Sequence, residues 1–319
     1  MKILVMGGSY FIGWHLVKRL AKEGHKVWVF NRGTKQRDYP RNVHSIIGDR
    51  NDVPRMLESL NKFKYDVVFD ISASKGEHTD VMIRNFKGKI SRYFHISTAA
   101  VYLQSEIFPI KEEFPVGKHY VWGVYGGNKL DCENLLLDAY RHSRFPATIF
   151  RPSYVYGPEN YIARERFLYE RLMKSRDIII PGDGNALIQL GHVFDLTDAW
   201  IAALSNSKSI GQIYNVSGEE YITLNGLVQL AGKILQKNPQ IVHVDPLKFG
   251  LTARDIFPFD NVTYFTDTNK AKHDLAFTPH YSLQAGLEEG FKLLSKSSGE
   301  FKPTDFTKED TILNQIKTH

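Results

Sequence analysis

The chain has 319 residues, of which 42% are hydrophobic and 24% are charged, and its formal charge is +6. This length suits two domains, or one large α/β domain with an added lobe. The composition is that of a globular protein and excludes a disordered or low-complexity chain. The positive charge fits an anionic ligand such as a nucleotide or a nucleic acid, but it fits an ordinary basic surface equally well, because Lys and Arg are scattered.

The only cysteine is Cys132. One cysteine cannot form an intrachain disulfide, and no Cys/His cluster has the spacing of a zinc site, so the sequence predicts a reducing compartment and no metal. The N-terminal apolar run, residues 3–6, ends at Gly7-Gly8 and is far too short for a signal peptide or a membrane span. We therefore expect a cytoplasmic protein with no membrane contact.

The first half of the chain predicts strands that alternate with helices. Apolar runs typical of buried strands are residues 2–6, 26–30, 65–71, 93–96 and 147–150. The helix after the first run has apolar residues at helical spacing and ends at Gly24. This alternation predicts an α/β fold with a doubly wound parallel sheet.

The loop after the first strand is rich in glycine. Gly7, Gly8 and Gly13 let the backbone turn tightly and approach a pyrophosphate at the N-terminus of the next helix. Tyr10 replaces the glycine expected between them, and its side chain must point away to leave the turn uncrowded. We expect the whole loop, with Phe11 and Ile12, to contact a dinucleotide.

The end of the second strand predicts which dinucleotide is bound. It reads Asn31-Arg32, with no carboxylate for a ribose 2′-hydroxyl, and Arg32 suits stacking on adenine or pairing with a 2′-phosphate. We therefore expect NAD(P), with a slight preference for NADP. Asp49, after the third strand, is a candidate to accept from the adenine amino group, although a helix cap explains it almost as well.

These patterns predict two domains. Residues 1–175 form a Rossmann-type dinucleotide-binding domain to which residues of about 190–216 return. Residues 176–319 form a smaller, mostly helical substrate lobe, with strands at 178–180 and helices at 224–236 and 283–295. We expect the polar tail after Ser297 to be partly unordered.

Tyr125 and Lys129 stand four residues apart in a helical run. At this spacing their side chains leave one face of the helix, with Cβ atoms roughly 5–6 Å apart. A cation there lowers the pKa of the phenol from about 10 toward the range of a general base. Taken alone, the pair fits a solvated helix face better, because both residues are common on helix surfaces.

With the loops above, four motifs in register resemble the extended short-chain dehydrogenase/reductases, the NAD-dependent epimerase/dehydratase family. They are Ser97-Thr98-Ala99-Ala100-Val101-Tyr102, Tyr125 with Lys129, residues 151–158, and His192-Val193-Phe194-Asp195. The resemblance implies a Rossmann-type fold and catalysis by Thr98, Tyr125 and Lys129. It also implies cofactor contacts from Arg50, Ser72, Ala73, Lys129 and Pro152, and substrate contacts from Ser97, Tyr154 and Gln189.

The resemblance also narrows the reaction. Dehydratases and decarboxylases of the family carry acidic residues directly after the Ser or Thr, where this chain has Ala99-Ala100, which cannot move a proton. Hydride transfer at one carbon remains, as in a C4 epimerase of a nucleotide sugar or an NADPH-dependent ketoreductase. A homodimer is expected because this family tends to dimerise.

Two departures leave the substrate open. Tyr154 replaces a usual Asn, and Ile188-Gln189 replaces an Arg-Asp that serves nucleotide-sugar enzymes. The chain is similar to an atypical branch that includes chloroplast stem-loop RNA-binding proteins, so an RNA-binding protein on a dehydrogenase scaffold is the alternative. The retained Thr98, Tyr125 and Lys129 favour the enzyme. His192 is expected to orient the start of a helix.

Overall fold

The structure is a computed structural model and describes residues 1–296 and 303–317. The chain divides into two compact units. The first contains Met1–Val155, Gly191–Gly218 and Thr266–His280, and the second contains Tyr156–Leu190, Glu219–Phe265 and Tyr281–His319. Residues 156–175, expected in the first domain from the sequence, thus lie in the second unit, and residues 266–280 lie in the first.

Strands and helices alternate through the first unit and mix in the second. The strands are β1 (Lys2–Met6), β2 (Lys26–Asn31), β3 (Val43–Ile47), β4 (Val67–Asp70), β5 (Arg92–Ile96), β6 (Ala147–Pro152), β7 (Tyr154–Tyr156), β8 (Ile178–Pro181), β9 (Leu187–His192), β10 (Ile213–Val216), β11 (Tyr221–Thr223) and β12 (Ile241–Val244). The helices are α1 (Phe11–Lys22), α2 (Val53–Leu60), α3 (Gly76–Phe86), α4 (Gly123–Ser143), α5 (Arg164–Met173), α6 (Val193–Ser205), α7 (Leu224–Leu235), α8 (Asn269–Leu275), α9 (Leu283–Lys296) and α10 (Thr307–Lys317).

A seven-stranded parallel sheet forms the centre of the first unit, in the order β10-β6-β5-β4-β1-β2-β3. The predicted Rossmann-type α/β fold is confirmed. The strand order reverses direction at β1, which pairs with both β2 and β4. In such sheets the crevice for a ligand opens at the carboxyl ends of the strands beside this reversal.

Apolar side chains cover both faces of this sheet. On one face, the core includes side chains of α1, α6 and α8, among them Leu16, Trp200 and Leu275. On the other face, it includes side chains of α2, α3 and α4, among them Met82 and Leu136. Residues 266–280 belong to the first unit because α8 packs on β10 and α6.

The second unit is built around α5, which packs against α7 and α9. This packing places residues 156–175 in the second unit. Beside the helices, β8 pairs with β12 in parallel, and β9 pairs with β11 in antiparallel. Within the tail, residues 297–302 and 318–319 lie outside the described residues, and α10 is held by a buried ion pair between Arg171 and Glu309.

The first turn of α1 lies against the end of β1, and this contact requires a glycine. A Cβ atom at Gly13 would lie 2.0 Å from the carbonyl oxygen of Gly7 and 3.0 Å from the Cα atom of Gly8. Both obstacles are backbone atoms, so a rotamer change cannot relieve the clash. The helix therefore approaches the loop as closely as two backbones allow.

We predict that Gly13→Ala lowers the free energy of unfolding by about 3 kcal/mol or more, because the loop and helix must separate to admit the methyl group. Gly127→Ala is the matched control, since nothing lies within 4 Å of a Cβ atom at that helical position. This control should be neutral or more stable by up to about 1 kcal/mol. Urea denaturation followed by circular dichroism measures both, and equal stabilities would contradict the close approach.

Candidate functional site

The glycine-rich loop leaves β1 and packs between β2 and the loop after β4. Gly7 has φ 97° and donates its N–H to the carbonyl oxygen of Phe30 at 2.9 Å. A Cβ atom there would lie 2.9 Å from Cβ of Ser72. At Gly8 a Cβ atom would lie 2.7 Å from Val29. The sequence of this loop is thus fixed by backbone geometry and close packing.

Tyr10 does not crowd this loop. It is the N-cap of α1 in an extended conformation, its side chain is 42% exposed, and its ring lies 5.2 Å from the Lys35 ammonium. Phe11 begins α1 with φ 33° and a buried side chain, whereas Ile12 is half-buried. The N-terminal amides of α1 therefore follow the loop directly, as the sequence predicts for a helix that receives an anion.

Positive side chains surround the end of β2. Asn31 accepts the N–H of Gly33 on its side-chain oxygen at 2.7 Å, and Arg32 is exposed. Arg37 donates from Nε to the carbonyl oxygen of Ser9 at 2.9 Å, which ties this segment to the glycine-rich loop. No carboxylate follows Asn31 directly in the sequence, so the charge at this strand end favours an anion.

Asp49 does not cap α2. Its carboxylate accepts from the backbone N–H of Asn51 at 2.8 Å, and this bond holds the pKa of Asp49 below its ordinary value, with a smaller contribution from Arg32. The N-cap of α2 is Asp52, whose side chain accepts from the N–H of Arg55. The helix-cap explanation for Asp49 is therefore wrong, and its exposed carboxylate lies at the carboxyl edge of β3.

Arg50, an expected cofactor contact, is engaged by neighbouring side chains. Its guanidinium donates to both carboxylate oxygens of Asp70 at 2.9 and 3.0 Å and to Oγ of Ser72 at 2.7 Å. The side chains of Arg50 and Asp70 are 9% and 0% exposed. This ion pair joins the loop after β3 to the end of β4, and the sequence does not predict it, because only the fold brings residues 50 and 70 together.

The turn that contains Thr98 lies beside the first turn of α4. Thr98 caps the 3-10 turn Ala99–Val101 by accepting the N–H of Ala100 at 3.2 Å. A Cβ atom at Gly126 would lie 2.3 Å from the carbonyl oxygen of Ala100. The glycine after Tyr125 thus lets α4 touch this turn, and the predicted catalytic residues are brought into one region. Ser97 is buried at the end of β5.

Tyr125 and Lys129 differ sharply in exposure. Tyr125 is 55% exposed in the first turn of α4, whereas Lys129 is 6% exposed. The ammonium of Lys129 donates to the carbonyl oxygens of Ala73 at 2.7 Å and Ile96 at 2.6 Å. Burial lowers the pKa of Lys129 to about 8. The ammonium is therefore held by backbone from the carboxyl ends of two adjacent strands.

The remaining predicted site residues lie at the end of β6 and beyond it. Arg151 forms a buried, bidentate ion pair with Glu133, and Pro152 is the buried last residue of β6. Tyr154 begins β7 and is half-buried in the first unit. Gln189 is 1% exposed in the second unit, where it pairs with Tyr221 across β9 and β11.

His192 is the N-cap of α6 and accepts the N–H of Phe194 on Nδ1, which confirms its expected place at a helix start. Across residues 1–296 and 303–317, no group of three or more His, Cys, Asp or Glu side chains has a metal-binding arrangement. In the same ranges, none of the helices has both the length and the apolar character that a membrane crossing requires.

Comparison with known proteins places this chain in a family. The sequence matches the model of the NAD dependent epimerase/dehydratase family over residues 3–217. The chain belongs to the NAD dependent epimerase/dehydratase family. Among relatives, the chloroplast stem-loop binding protein of 41 kDa b from Arabidopsis thaliana is 36% identical over 332 residues, covering 98% of this chain and 84% of that protein.

Solved structures of epimerase/dehydratase family enzymes share the fold. The UDP-glucose 4-epimerase of Thermotoga maritima, determined with UDP-glucose, is 22% identical with a TM-score of 0.81, covering 93% of this chain and all of that one. The dTDP-glucose 4,6-dehydratase of Bacillus anthracis, in complex with NAD, is 21% identical with a TM-score of 0.81, covering 95% and 99%. At these identities the likeness shows the fold alone.

Proposed function

We propose that the protein is an NAD(P)-dependent epimerase that acts on a nucleotide sugar or a sugar-like substrate by hydride transfer at one carbon, most favourably C4. The observation that carries this proposal is the buried ammonium of Lys129, held one helical turn from Tyr125. An ammonium has three N–H donors. Two bind backbone carbonyls, which leaves one for a hydroxyl of a cofactor ribose.

The chain's residues fit a dinucleotide. Gly7, Gly8 and Gly13 lie where side chains have no room, and the amides of α1 follow them. Asn31, Arg32 and Asp49 surround the position expected for the adenosine half, and Ser72, Ala73 and Pro152 lie at strand ends along the same edge of the sheet. When bound, a nicotinamide ring supplies an atom that accepts hydride from a substrate carbon and returns it.

Tyr125 is the acid/base that transfers the proton in this proposal. Its phenolate oxygen takes a proton from a substrate hydroxyl as the carbon is oxidised, and the phenol so formed gives the proton back on reduction. Thr98 donates a hydrogen bond to the same substrate oxygen as charge develops. The Lys129 ammonium favours the phenolate form of Tyr125 electrostatically.

The turn after Thr98 supports chemistry at a single carbon. Ala99 and Ala100 are 2% and 8% exposed and have no group that moves a proton. Elimination of water or of carbon dioxide needs a further acid or base. We therefore favour an epimerase over a dehydratase or a decarboxylase. An NADPH-dependent ketoreductase is the alternative within the family, because it uses the same proton donor without returning the hydride.

An RNA-binding protein is the alternative of another class. The relative with 36% identity is named a stem-loop binding protein, and the chain carries a formal charge of +6. RNA binding uses basic and aromatic surface residues and has no need of an ammonium buried one helical turn from a tyrosine. The buried Lys129 therefore favours the enzyme.

We also propose that the protein is a cytoplasmic homodimer. Light scattering, which measures the mass of the particle in solution, tests the dimer.

Denaturation of the purified protein, with mass spectrometry and absorbance of the released small molecules, tests the proposal. Stoichiometric NAD or NADH supports an epimerase, which keeps its hydride through a full cycle. An empty site that binds added NADPH supports the reductase. If no nicotinamide dinucleotide binds, the enzyme proposal is wrong, and a mobility-shift titration with an RNA stem-loop tests the alternative directly.

We predict that Tyr125→Phe lowers kcat by at least about a thousandfold, because the phenylalanine ring cannot exchange a proton. Dinucleotide affinity should stay within about threefold, since the aromatic ring is retained. Tyr140→Phe removes the same hydroxyl near the other end of α4 and should leave kcat unchanged. Steady-state rates and isothermal titration measure the two quantities, and full activity of Tyr125→Phe would refute the assignment of Tyr125.

A second prediction concerns the preference for NADP. Arg32→Asp should shift the ratio of NADP to NAD affinities toward NAD by about tenfold or more, because a hydrogen bond to a charged group contributes about 1.5–3 kcal/mol. Arg41→Asp, an equal charge change at an exposed position before β3, is the control. Fluorescence titration with NADPH and NADH gives the ratio, and an unchanged ratio shows that Arg32 does not contact the 2′ position.

A further inference from the structure

A buried carboxylate ends β4. Asp70 follows three buried apolar residues of that strand and is itself 0% exposed. A carboxylate in the interior is destabilising unless charged and hydrogen-bonding partners surround it. In the Rossmann-type sheet, this position is at the carboxyl edge where ligand loops begin. The carboxylate therefore lies at the same edge of the sheet as the proposed site.

Donors occupy the acceptor positions of Asp70. Its oxygens accept from both terminal nitrogens of Arg50, from the hydroxyl of Tyr93 at 2.9 Å and from the backbone N–H of Ala73 at 3.0 Å. An ionised carboxylate has about four such positions. Burial raises the pKa of Asp70, but the Arg50 guanidinium outweighs it and lowers that pKa to about 2. Asp70 is thus a charged group at neutral pH.

One residue connects Asp70 to Lys129. The N–H of Ala73 donates to the Asp70 carboxylate at 3.0 Å, and the carbonyl oxygen of Ala73 accepts from the Lys129 ammonium at 2.7 Å. Arg50 also binds Oγ of Ser72, so the backbone just before this carbonyl is fixed from a second side. Hydrogen bonds therefore connect Arg50 to Asp70, Asp70 to Ala73 and Ala73 to Lys129 without a gap.

We propose that Asp70 is a positioning residue for Lys129: its carboxylate fixes the Ala73 turn that receives the ammonium, and its charge balances Arg50 beside that ammonium. This inference rests on the proposed function only for the role of Lys129 in catalysis. The placement and charge state of Lys129 are properties of the protein without any ligand. They are therefore measurable whether or not the proposed activity is correct.

The charges around Lys129 predict how each partner acts. The groups that face it are Cys132 and Glu133 on α4, Asp70 on β4, His95 on β5 and Arg50 on the loop after β3. Asp70 raises the pKa of Lys129 and Arg50 lowers it. Loss of the Asp70 charge leaves Arg50 unbalanced in a site of low polarity and should lower the pKa of Lys129. Loss of the Arg50 charge leaves Asp70 unbalanced and should raise that pKa.

His95 does not replace the missing charge. It is the cross-strand partner of Asp70 on β5 and is fully buried. Neither of its ring nitrogens has a hydrogen-bond partner among the described residues, and burial lowers its pKa to about 3. The imidazole is therefore neutral at pH 7. Asp70 is the carboxylate that offsets Arg50 in this cluster.

The test is a carbon-13 NMR titration of lysine Cε in the ligand-free protein, with the Lys129 signal assigned by its loss in Lys129→Arg. In Asp70→Asn, the pKa of Lys129 should fall by about one pH unit or more, since a nearby opposite charge contributes about one to three units. In Arg50→Gln it should rise. Asp138→Asn, which breaks an exposed ion pair with Arg141 on the same helix, should leave the pKa of Lys129 unchanged.

Opposite shifts in the two variants support the proposal, because a purely structural role does not change sign with the charge removed. An unchanged Lys129 titration in either folded variant overturns it. If Asp70→Asn does not fold, the upward shift in Arg50→Gln decides the question alone. The alkaline limb of kcat/KM should move with the Lys129 titration. Absence of any dinucleotide binding would remove the proposed function while leaving the NMR result intact.

Discussion

The structure of the site depends on one constraint: a lysine ammonium is buried at the carboxyl edge of the sheet. Lys129 is 6% exposed and hydrogen-bonds to the carbonyl oxygens of Ala73 and Ile96. A buried cation is destabilising unless its donors are satisfied. Its two acceptors come from the ends of neighbouring strands, so β4, β5 and α4 must all be in place before the ammonium can be held.

Some features of this site can be predicted from the sequence and others cannot. The strand pattern, the glycine-rich loop and the four-residue spacing of Tyr125 and Lys129 are local, and local periodicity and turn chemistry predict them well. Gly13 is an example, because a glycine at the start of the helix that follows β1 already indicates close backbone approach. The closeness of Gly126 to the carbonyl oxygen of Ala100 needed the fold.

Other features are non-local and could not be predicted from the sequence. The Arg50–Asp70 pair joins a loop to the end of a strand 20 residues further along the chain, and in the sequence Asp70 is the polar end of an apolar run. Asp49 and Asp52 both suit a helix cap, and only the hydrogen bonds show that Asp52 takes that place. The return of residues 266–280 to the first unit depends on the packing of α8. The sequence of so short a helix does not predict which unit it packs against.

The buried ammonium also bears on the choice between the two classes of function. Family membership fixes the scaffold, and a scaffold of this kind supports more than one activity. RNA binding alone would need neither the burial of Lys129 nor the buried ion pair between Arg50 and Asp70. Several kcal/mol of desolvation oppose each buried charge. The burial of these groups in one hydrogen-bonded cluster, which includes a lysine on the helix that carries the exposed Tyr125, supports the proton and hydride chemistry proposed for this edge of the sheet.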